Sequence, residues 1–155
     1  MKISFETNIN TSMEIVWSAL TDFSRYPEWN PVLTKVEGNA ALGSTLKTAL
    51  KLSGLVLRNV EVQVTGFAAP KYFSFESHHR WGRWYLQEEW IFRMKERADG
   101  VTFIAEAYVT GLGLRFRRSK VEEAFRRSLL NLALALKERI ADAISNQQGV
   151  EKSVS

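Results

Sequence analysis

The sequence has 155 residues, of which 45% are hydrophobic and 25% are charged, a composition typical of a single globular domain with a sizeable core. It contains no cysteine, which excludes disulfide bonds, thiol nucleophiles and thiolate metal sites. Residues 78–127 hold 11 of the 21 basic and 7 of the 17 acidic residues, so the whole net charge of +4 falls in that third. An excess of this size does not make the dense basic face of a nucleic-acid binder, and we expect no nucleic-acid partner.

The start of the chain does not resemble a signal peptide, because Lys2 and Glu6 interrupt any apolar run. Together with the absence of cysteine, this predicts a cytoplasmic protein. The two histidines occur neither in an HExxH motif nor at a paired-histidine spacing. We therefore expect no catalytic metal, and nothing in the sequence predicts a cofactor.

The first predicted elements are a strand and a helix. Lys2 to Ile9 alternates between apolar and polar residues, as a half-buried strand does. An amphipathic helix follows, with Met13 and Val16 on its apolar face. Pro27 and Pro31 then forbid a regular helix and predict a short turn.

Six further strands are predicted between residues 32 and 110, because β-branched and aromatic segments alternate there with turn residues. The short links between them imply an antiparallel meander. The predicted strands are 32–36, 44–51, 57–65, 72–79, 84–95 and 101–110.

The last hairpin permits a prediction of register. Asp99 and Gly100 are taken as its two-residue turn. The opposed pairs are then Trp90 with Val109, Phe92 with Ala107 and Met94 with Ala105, while Glu88 faces Gly111. Large residues on one strand thus lie beside two alanines on the next, and the small side chains leave space for an internal cavity.

A long helix is predicted from Ser119 to Ser145, because apolar residues recur there at steps of three to four without Gly or Pro. A helix of that length spans roughly 40 Å and needs a sheet to lie on. It is too charged at both ends to span a membrane. Residues 1–148 are thus predicted to form one domain and residues 149–155 a flexible polar tail.

Several short motifs resemble one known family. They are Val16-Trp17, Asp22-Phe23, Tyr26 to Pro31, Gly38, Gly43, Asp99-Gly100 and Gly111. In this order they are similar to the motifs of the START-like, SRPBCC superfamily, in particular its polyketide cyclase/dehydrase-type branch. The resemblance runs from about Ile3 to Ile144, nearly the whole chain.

This resemblance implies the α+β helix-grip fold, in which a curved antiparallel sheet of about seven strands wraps a long C-terminal helix. It also implies two short helices after the first strand and a hydrophobic cavity that binds lipids, isoprenoids or polyketides. A minority of members catalyse cyclisation or dehydration. Many relatives carry an inward His and Glu on the last strand, where this sequence has Ala105 and Ala107, and that difference argues against chemistry seated there.

We therefore predict binding or transport of a hydrophobic or aromatic small molecule in a cavity between the sheet and the long helix. Its predicted lining residues are Trp84, Glu88, Trp90, Phe92, Met94, Ala105, Ala107, Phe125, Leu129 and Leu132. Arg58 and His79 occupy inward positions near strand ends and are added as ligand-binding candidates, with Ser77 and Thr48 as weaker ones.

Glu88 is the most informative polar residue of this set. An inward carboxylate loses hydration, which suits a general acid or a hydrogen-bond donor to a ligand oxygen. Pairing with an Arg, or capping of backbone N–H groups, is the structural alternative. In a second hypothesis the protein is an enzyme, a polyketide cyclase or dehydratase with Glu88 or His79 as its acid/base.

Arg115, Arg117 and Arg118, with Lys120, gather at the start of the long helix, where positive charge opposes the helix dipole. Solvated side chains would explain the cluster, and so would contact with a membrane surface, an acidic head group or a partner protein. A third hypothesis is accordingly a membrane-peripheral lipid or quinone chaperone. The sequence leaves open whether the protein is a monomer or a homodimer.

Overall fold

The computed structural model describes residues 1–53, 55–81 and 84–154, with the backbone alone for residues 55–58, 81 and 84. The N-terminal elements are β1 (Lys2–Ile9), α1 (Met13–Thr21), a 3-10 turn (Phe23–Arg25) and α2 (Tyr26–Trp29). The remaining elements are β2 (Leu33–Glu37), β3 (Thr45–Leu52), β4 (Leu55–Ala68), β5 (Tyr72–Trp81), β6 (Trp84–Arg97), β7 (Gly100–Thr110) and α3 (Leu114–Val154).

The strands form one sheet in the order β1-β7-β6-β5-β4-β3-β2, and every neighbouring pair is antiparallel. The chain therefore runs as a meander from β2 to β7, and β1 returns to pair with β7. Helix α3 packs mainly against β1 and β7 and also reaches β3 on the other flank. The sheet thus curls around the helix, and the predicted helix-grip fold with two short helices after the first strand is confirmed.

Helix α3 is longer than expected. It begins at Leu114, has non-helical angles at Arg117 (φ −133°, ψ 23°) and continues to Val154. Residues 149–154, predicted as a tail, are helical, because each added residue of a formed helix gains a backbone hydrogen bond. The last buried residue is Ile140, so the final turns lie outside the core. In the described part of the chain, no helix has an apolar stretch sufficient to cross a bilayer.

The predicted register of the last hairpin is wrong by two residues. The structure pairs Trp90 with Ala107, Phe92 with Ala105 and Met94 with Phe103, so the turn is Ala98-Asp99 and Glu88 faces Val109. Gly100 is the first residue of β7, where its φ of +148° and the nearby Ile9 carbonyl oxygen, 2.3 Å from an added Cβ, require glycine. Because the side-chain period of a strand is two, the shift leaves every residue on its predicted face.

The residues of the opening motif fasten α2 to the domain. The Tyr26 hydroxyl donates a hydrogen bond to the Leu20 carbonyl, and the Tyr26 ring lies 5.2 Å from that of Trp29. The Asn30 side-chain oxygen accepts hydrogen bonds from the backbone N–H groups of Val32 (3.0 Å) and Leu33 (2.9 Å). These contacts give the motif a structural role in holding α2 against the domain.

Gly111 ends β7 with a φ of +135°, and a Cβ there would lie 2.0 Å from the Tyr85 carbonyl oxygen. We predict that Gly111→Ala lowers the free energy of unfolding by about 3 kcal/mol, because strain and a backbone clash add. At Gly43 φ is +78°, and a Cβ added there would meet no other part of the protein within 4 Å. Gly43→Ala therefore adds backbone strain alone, which costs about 1 kcal/mol. Equilibrium urea unfolding measures both losses, and equal losses would contradict the proposed clash.

Candidate functional site

Three strands end at one end of the curled sheet, and three elements begin there. Strands β3, β5 and β7 end there, and β4, β6 and α3 begin there, because consecutive strands alternate in direction. The backbone N–H of Ser53 donates to the Ser128 hydroxyl on α3 (3.2 Å), and that of Gly113 donates to the Tyr85 carbonyl (3.5 Å). The first bond holds the end of β3 against α3, and the second holds the start of α3 against the start of β6. We call this end the loop end.

Three polar side chains meet inside the sheet toward the loop end, and we call them the polar cluster. Ser77 of β5 pairs with Glu88 of β6, and His79 lies two residues further along β5. The Ser77 hydroxyl donates to Glu88 Oε1 at 2.8 Å, and His79 Nε2 lies 3.2 Å from the same oxygen. Ser77 Oγ and His79 Nε2 are 3.1 Å apart. Glu88 is fully buried, so its carboxylate lies among protein groups and away from solvent.

Two polar atoms of this region are buried without a hydrogen-bond partner among the described residues. They are Glu88 Oε2 and Trp90 Nε1, which belong to neighbouring inward positions of β6. Glu106 Oε2, in contrast, lies on the outer face and has Arg93 Nη1 at 3.3 Å. An unsatisfied buried group costs about 1–3 kcal/mol, so such atoms are uncommon and call for a missing partner.

Aromatic rings surround the polar cluster on the side of the sheet centre. Phe75 stacks on Trp90 with ring centroids 6.2 Å apart, and Trp90 contacts Phe125 of α3 at 5.4 Å. Phe92 lies 6.1 Å from Phe75 and 5.9 Å from Phe103. The middle strands therefore face the helix through large rings, and the polar cluster opens onto an apolar and aromatic interior.

The structure brings most of the predicted site residues into this interior. Those that it places there, all buried, are His79, Glu88, Trp90, Phe92, Met94, Ala105, Ala107, Phe125, Leu129 and Leu132. The side chains of Arg58 and Trp84 lie outside the described residues. Whether these residues bind a ligand stays a prediction.

The environment of Glu88 differs from both structural alternatives considered for it. Its described contacts are Ser77 and His79, and no described arginine pairs with it. The corrected register also moves it away from the start of α3, where it would have capped backbone N–H groups. In the sequence Ser77 was only a weak candidate, although it shares one face of β5 with Phe75; its place opposite Glu88 follows from the β5–β6 pairing.

Each alanine of the predicted cavity lies between two larger residues. Ala107 is flanked by Ile3 and Trp90, and Ala105 by Phe5 and Phe92. Both alanines are completely buried. That their short side chains leave a cavity on the inner face next to the aromatic rings of β6 stays a prediction.

A depression of about 430 Å³ lies at the surface of the loop end. It is lined by Met1, Gly111, Leu112, Leu114, Arg115 and Arg118. None of these lining residues belongs to the aromatic interior. It brings two of the predicted basic residues together at one surface.

Residues 1–140 match the sequence profile of a family described as "Polyketide cyclase / dehydrase and lipid transport". The protein belongs to this family. Membership accounts for both the opening motif and the curled sheet. A comparison of this sequence with curated proteins found no significant match.

Solved structures share the fold of this family member at low sequence identity. Protein MLL2253 from Mesorhizobium loti has a TM-score of 0.73 at 16% identity, over 92% of this chain and 98% of that one. A START superfamily protein from Mycobacterium smegmatis has a TM-score of 0.70 at 19% identity, over 92% of this chain and 98% of that one. The di-domain ARO/CYC BexL has a TM-score of 0.69 at 12% identity, over 89% of this chain and 49% of BexL. These similarities show a START-like fold.

The polar cluster should behave as one coupled unit. His79→Ala and Glu88→Ala should each lower the free energy of unfolding. We predict that the loss in the double variant differs from the sum of the two single losses by about 1–3 kcal/mol, because His79 Nε2 contacts Glu88 Oε1 in a buried site. The matched pair nearer the surface is His78, which is exposed, and Glu76, which is half-buried. Their side chains lie 3.5 Å apart, and their coupling should stay below about 0.5 kcal/mol. Urea unfolding of both double-mutant cycles measures the difference. Equal coupling energies in the two cycles would show that burial does not strengthen the interaction between His79 and Glu88.

Proposed function

We propose that the protein binds or transports a hydrophobic or aromatic small molecule, a lipid, isoprenoid or polyketide-like compound, within its curled sheet. The family and its fold support binding of a hydrophobic ligand in general terms. The observation that carries the proposal is the pair of buried polar atoms without described partners, Glu88 Oε2 and Trp90 Nε1. The ligand's polar group would lie at these two atoms, and its apolar part along the aromatic rings.

The two atoms differ in hydrogen-bonding character. Trp90 Nε1 donates only, so its ligand partner must be an acceptor such as a carbonyl or ether oxygen. The Glu88 carboxyl group accepts when ionised and donates when protonated, so a ligand hydroxyl, which can both donate and accept, suits it in either form. A lipophile with a polar end would satisfy both atoms, whereas a plain hydrocarbon would leave both unpaired and would bind less well.

The polar cluster also supports the second hypothesis, a cyclase or dehydratase. His79 Nε2 and Glu88 Oε1 lie 3.2 Å apart, within the distance for proton transfer, and Ser77 contacts both. Such a pair could move a proton to or from a ligand oxygen at the same place where a carrier would hold it. The first hypothesis is favoured because the inward His and Glu positions of the last strand hold Ala105 and Ala107.

Two fluorescent probes test the polar part of the site. Prodan has a carbonyl acceptor, and N-phenyl-1-naphthylamine has an N–H donor but no carbonyl. We predict that Trp90→Phe weakens Prodan binding about fivefold, the value of one neutral hydrogen bond, and changes N-phenyl-1-naphthylamine binding much less. Trp17→Phe is the matched control, since Trp17 packs on Phe67 away from the polar cluster. An equal loss for both probes in Trp90→Phe would contradict the hydrogen bond.

The position of the cavity is tested by Ala107→Trp. We predict that this variant loses at least tenfold in affinity for both probes, because the indole fills the space beside Trp90. Fluorescence titration measures the affinity, and circular dichroism checks that the variant is folded. Unchanged affinity in a folded variant would refute the cavity position.

Native mass spectrometry of protein purified from its own host, beside an organic extract of the same sample, would identify a bound compound. If the protein is an enzyme, this compound or its precursor is converted, and Glu88→Gln should slow the conversion by about 100-fold or more. If it is a carrier, the compound is recovered unchanged. Conversion at an equal rate by the wild type and Glu88→Gln would exclude Glu88 as the acid/base.

A further inference from the structure

The segment that joins the sheet to α3 is both basic and apolar at the surface, and we call residues 112–120 the basic segment. Leu112 is 59% exposed and Phe116 is 75% exposed. Its four basic residues, Arg115, Arg117, Arg118 and Lys120, are all exposed as well. Large exposed apolar residues beside a concentration of charge mark interaction surfaces more often than plain solvated faces.

The charge of the basic segment is not neutralised locally. It contains no acidic residue, and the first ones that follow, Glu122 and Glu123, pair with Arg126 (2.9 Å) and Arg127. Among the described residues, none of the four basic side chains forms an ion pair. The start of α3 adds its own positive partial charge. The segment therefore presents an uncompensated positive surface.

The local backbone keeps the apolar side chains of the segment outside the core. Backbone N–H groups of Leu114 and Arg115 donate to the carbonyls of Gly111 and Leu112, which forms a tight turn. Leu114 is partly buried and packs against the core, whereas Leu112 and Phe116 on either side stay exposed. The change of backbone angles at Arg117 separates this turn from the rest of α3.

We propose that the basic segment docks the protein on an anionic lipid bilayer. Positive side chains are attracted to anionic head groups, and Leu112 and Phe116 would enter the boundary between head groups and acyl chains. The 430 Å³ depression next to it has Arg115 and Arg118 in its lining and would receive a phosphate-bearing head group. Charge complementarity alone would fit an acidic protein too, but the exposed Phe and Leu at the tip of the turn favour a fluid apolar phase.

Docking in this way would point the loop end at the bilayer. The basic segment is tied to Tyr85 through the Gly113 backbone, and Tyr85 lies three residues before Glu88 on β6. Three residues of strand span roughly 10 Å, so the polar cluster lies close to the docked surface. A lipophile could then pass between the bilayer and the interior with little exposure to water. Adsorption itself does not depend on the proposed ligand binding, so the two can fail separately.

Vesicle cosedimentation tests the proposal with wild-type protein and vesicles of phosphatidylcholine containing roughly one-third phosphatidylserine. We expect adsorption to these vesicles, little adsorption to pure phosphatidylcholine, and weakening when NaCl rises from about 0.1 M to about 0.5 M. The triple variant Arg115→Gln, Arg117→Gln, Arg118→Gln should bind about 100-fold more weakly, since each charge is worth about fivefold. Phe116→Ser should weaken binding while leaving the salt dependence intact.

The matched control is Lys47→Gln, Lys71→Gln, Lys95→Gln, which removes the same charge from exposed positions nearer the opposite end of the sheet. This variant should retain binding within about threefold of the wild type. Equal losses in the two triple variants would overturn the proposal, because net charge rather than the basic segment would then be responsible. Failure of the wild type to adsorb, or equal adsorption to neutral vesicles, would overturn it too. Circular dichroism of each variant confirms that it is folded.

Discussion

The structure depends on the pairing of its first strand with its last. Strand β1 pairs with β7 from Lys2, opposite Tyr108, to Ile9, opposite Val101. This pairing joins the first strand of the chain to the last one in the same sheet. Helix α3 lies mainly against this pair, so the remaining strands have to curl around the helix to cover its other sides. Gly100 and Gly111 stand at the two ends of β7, where neighbouring backbone leaves no space for a side chain. The interior is a product of that closure, since a flat sheet would leave the helix half uncovered.

The burial of the Glu88 carboxyl group among aromatic rings is energetically unfavourable for the fold. Glu88 satisfies one oxygen with Ser77 and His79 and leaves the other, like the indole nitrogen of Trp90, without a described partner. A purely structural core would exclude such groups, because hydrophobic residues of similar volume avoid the cost of desolvation. Retaining them makes sense where the interior recognises a molecule that carries its own polar atoms. Binding and proton transfer would both use Glu88, together with Trp90 in the first case and with His79 in the second.

Local patterns in the sequence were sufficient to predict the elements and their faces. The alternation in β1 and the apolar stripe of α3 arise from nearest neighbours along the chain, and both were correctly placed. The hairpin register was not, because Gly100 is required by the approach of Ile9, about ninety residues away in the chain. Likewise, the sharing of Glu88 by Ser77 and His79 depends on the β5–β6 pairing, which no local pattern specifies. What sequence periodicity cannot reveal is therefore contact between distant segments.

Helix α3 continues well beyond the part that the sheet covers. Its last buried residue is Ile140, Ile144 is still partly buried against the core, and the turns from residue 145 to Val154 are exposed. A helix held by packing over one part and by its own bonds over the other has two local stabilities. Amide hydrogens near Leu129 would exchange with solvent only when the whole domain unfolds, whereas those of the last turns would exchange through fraying. One continuous helix would thus report both global and local opening in a single hydrogen-exchange profile.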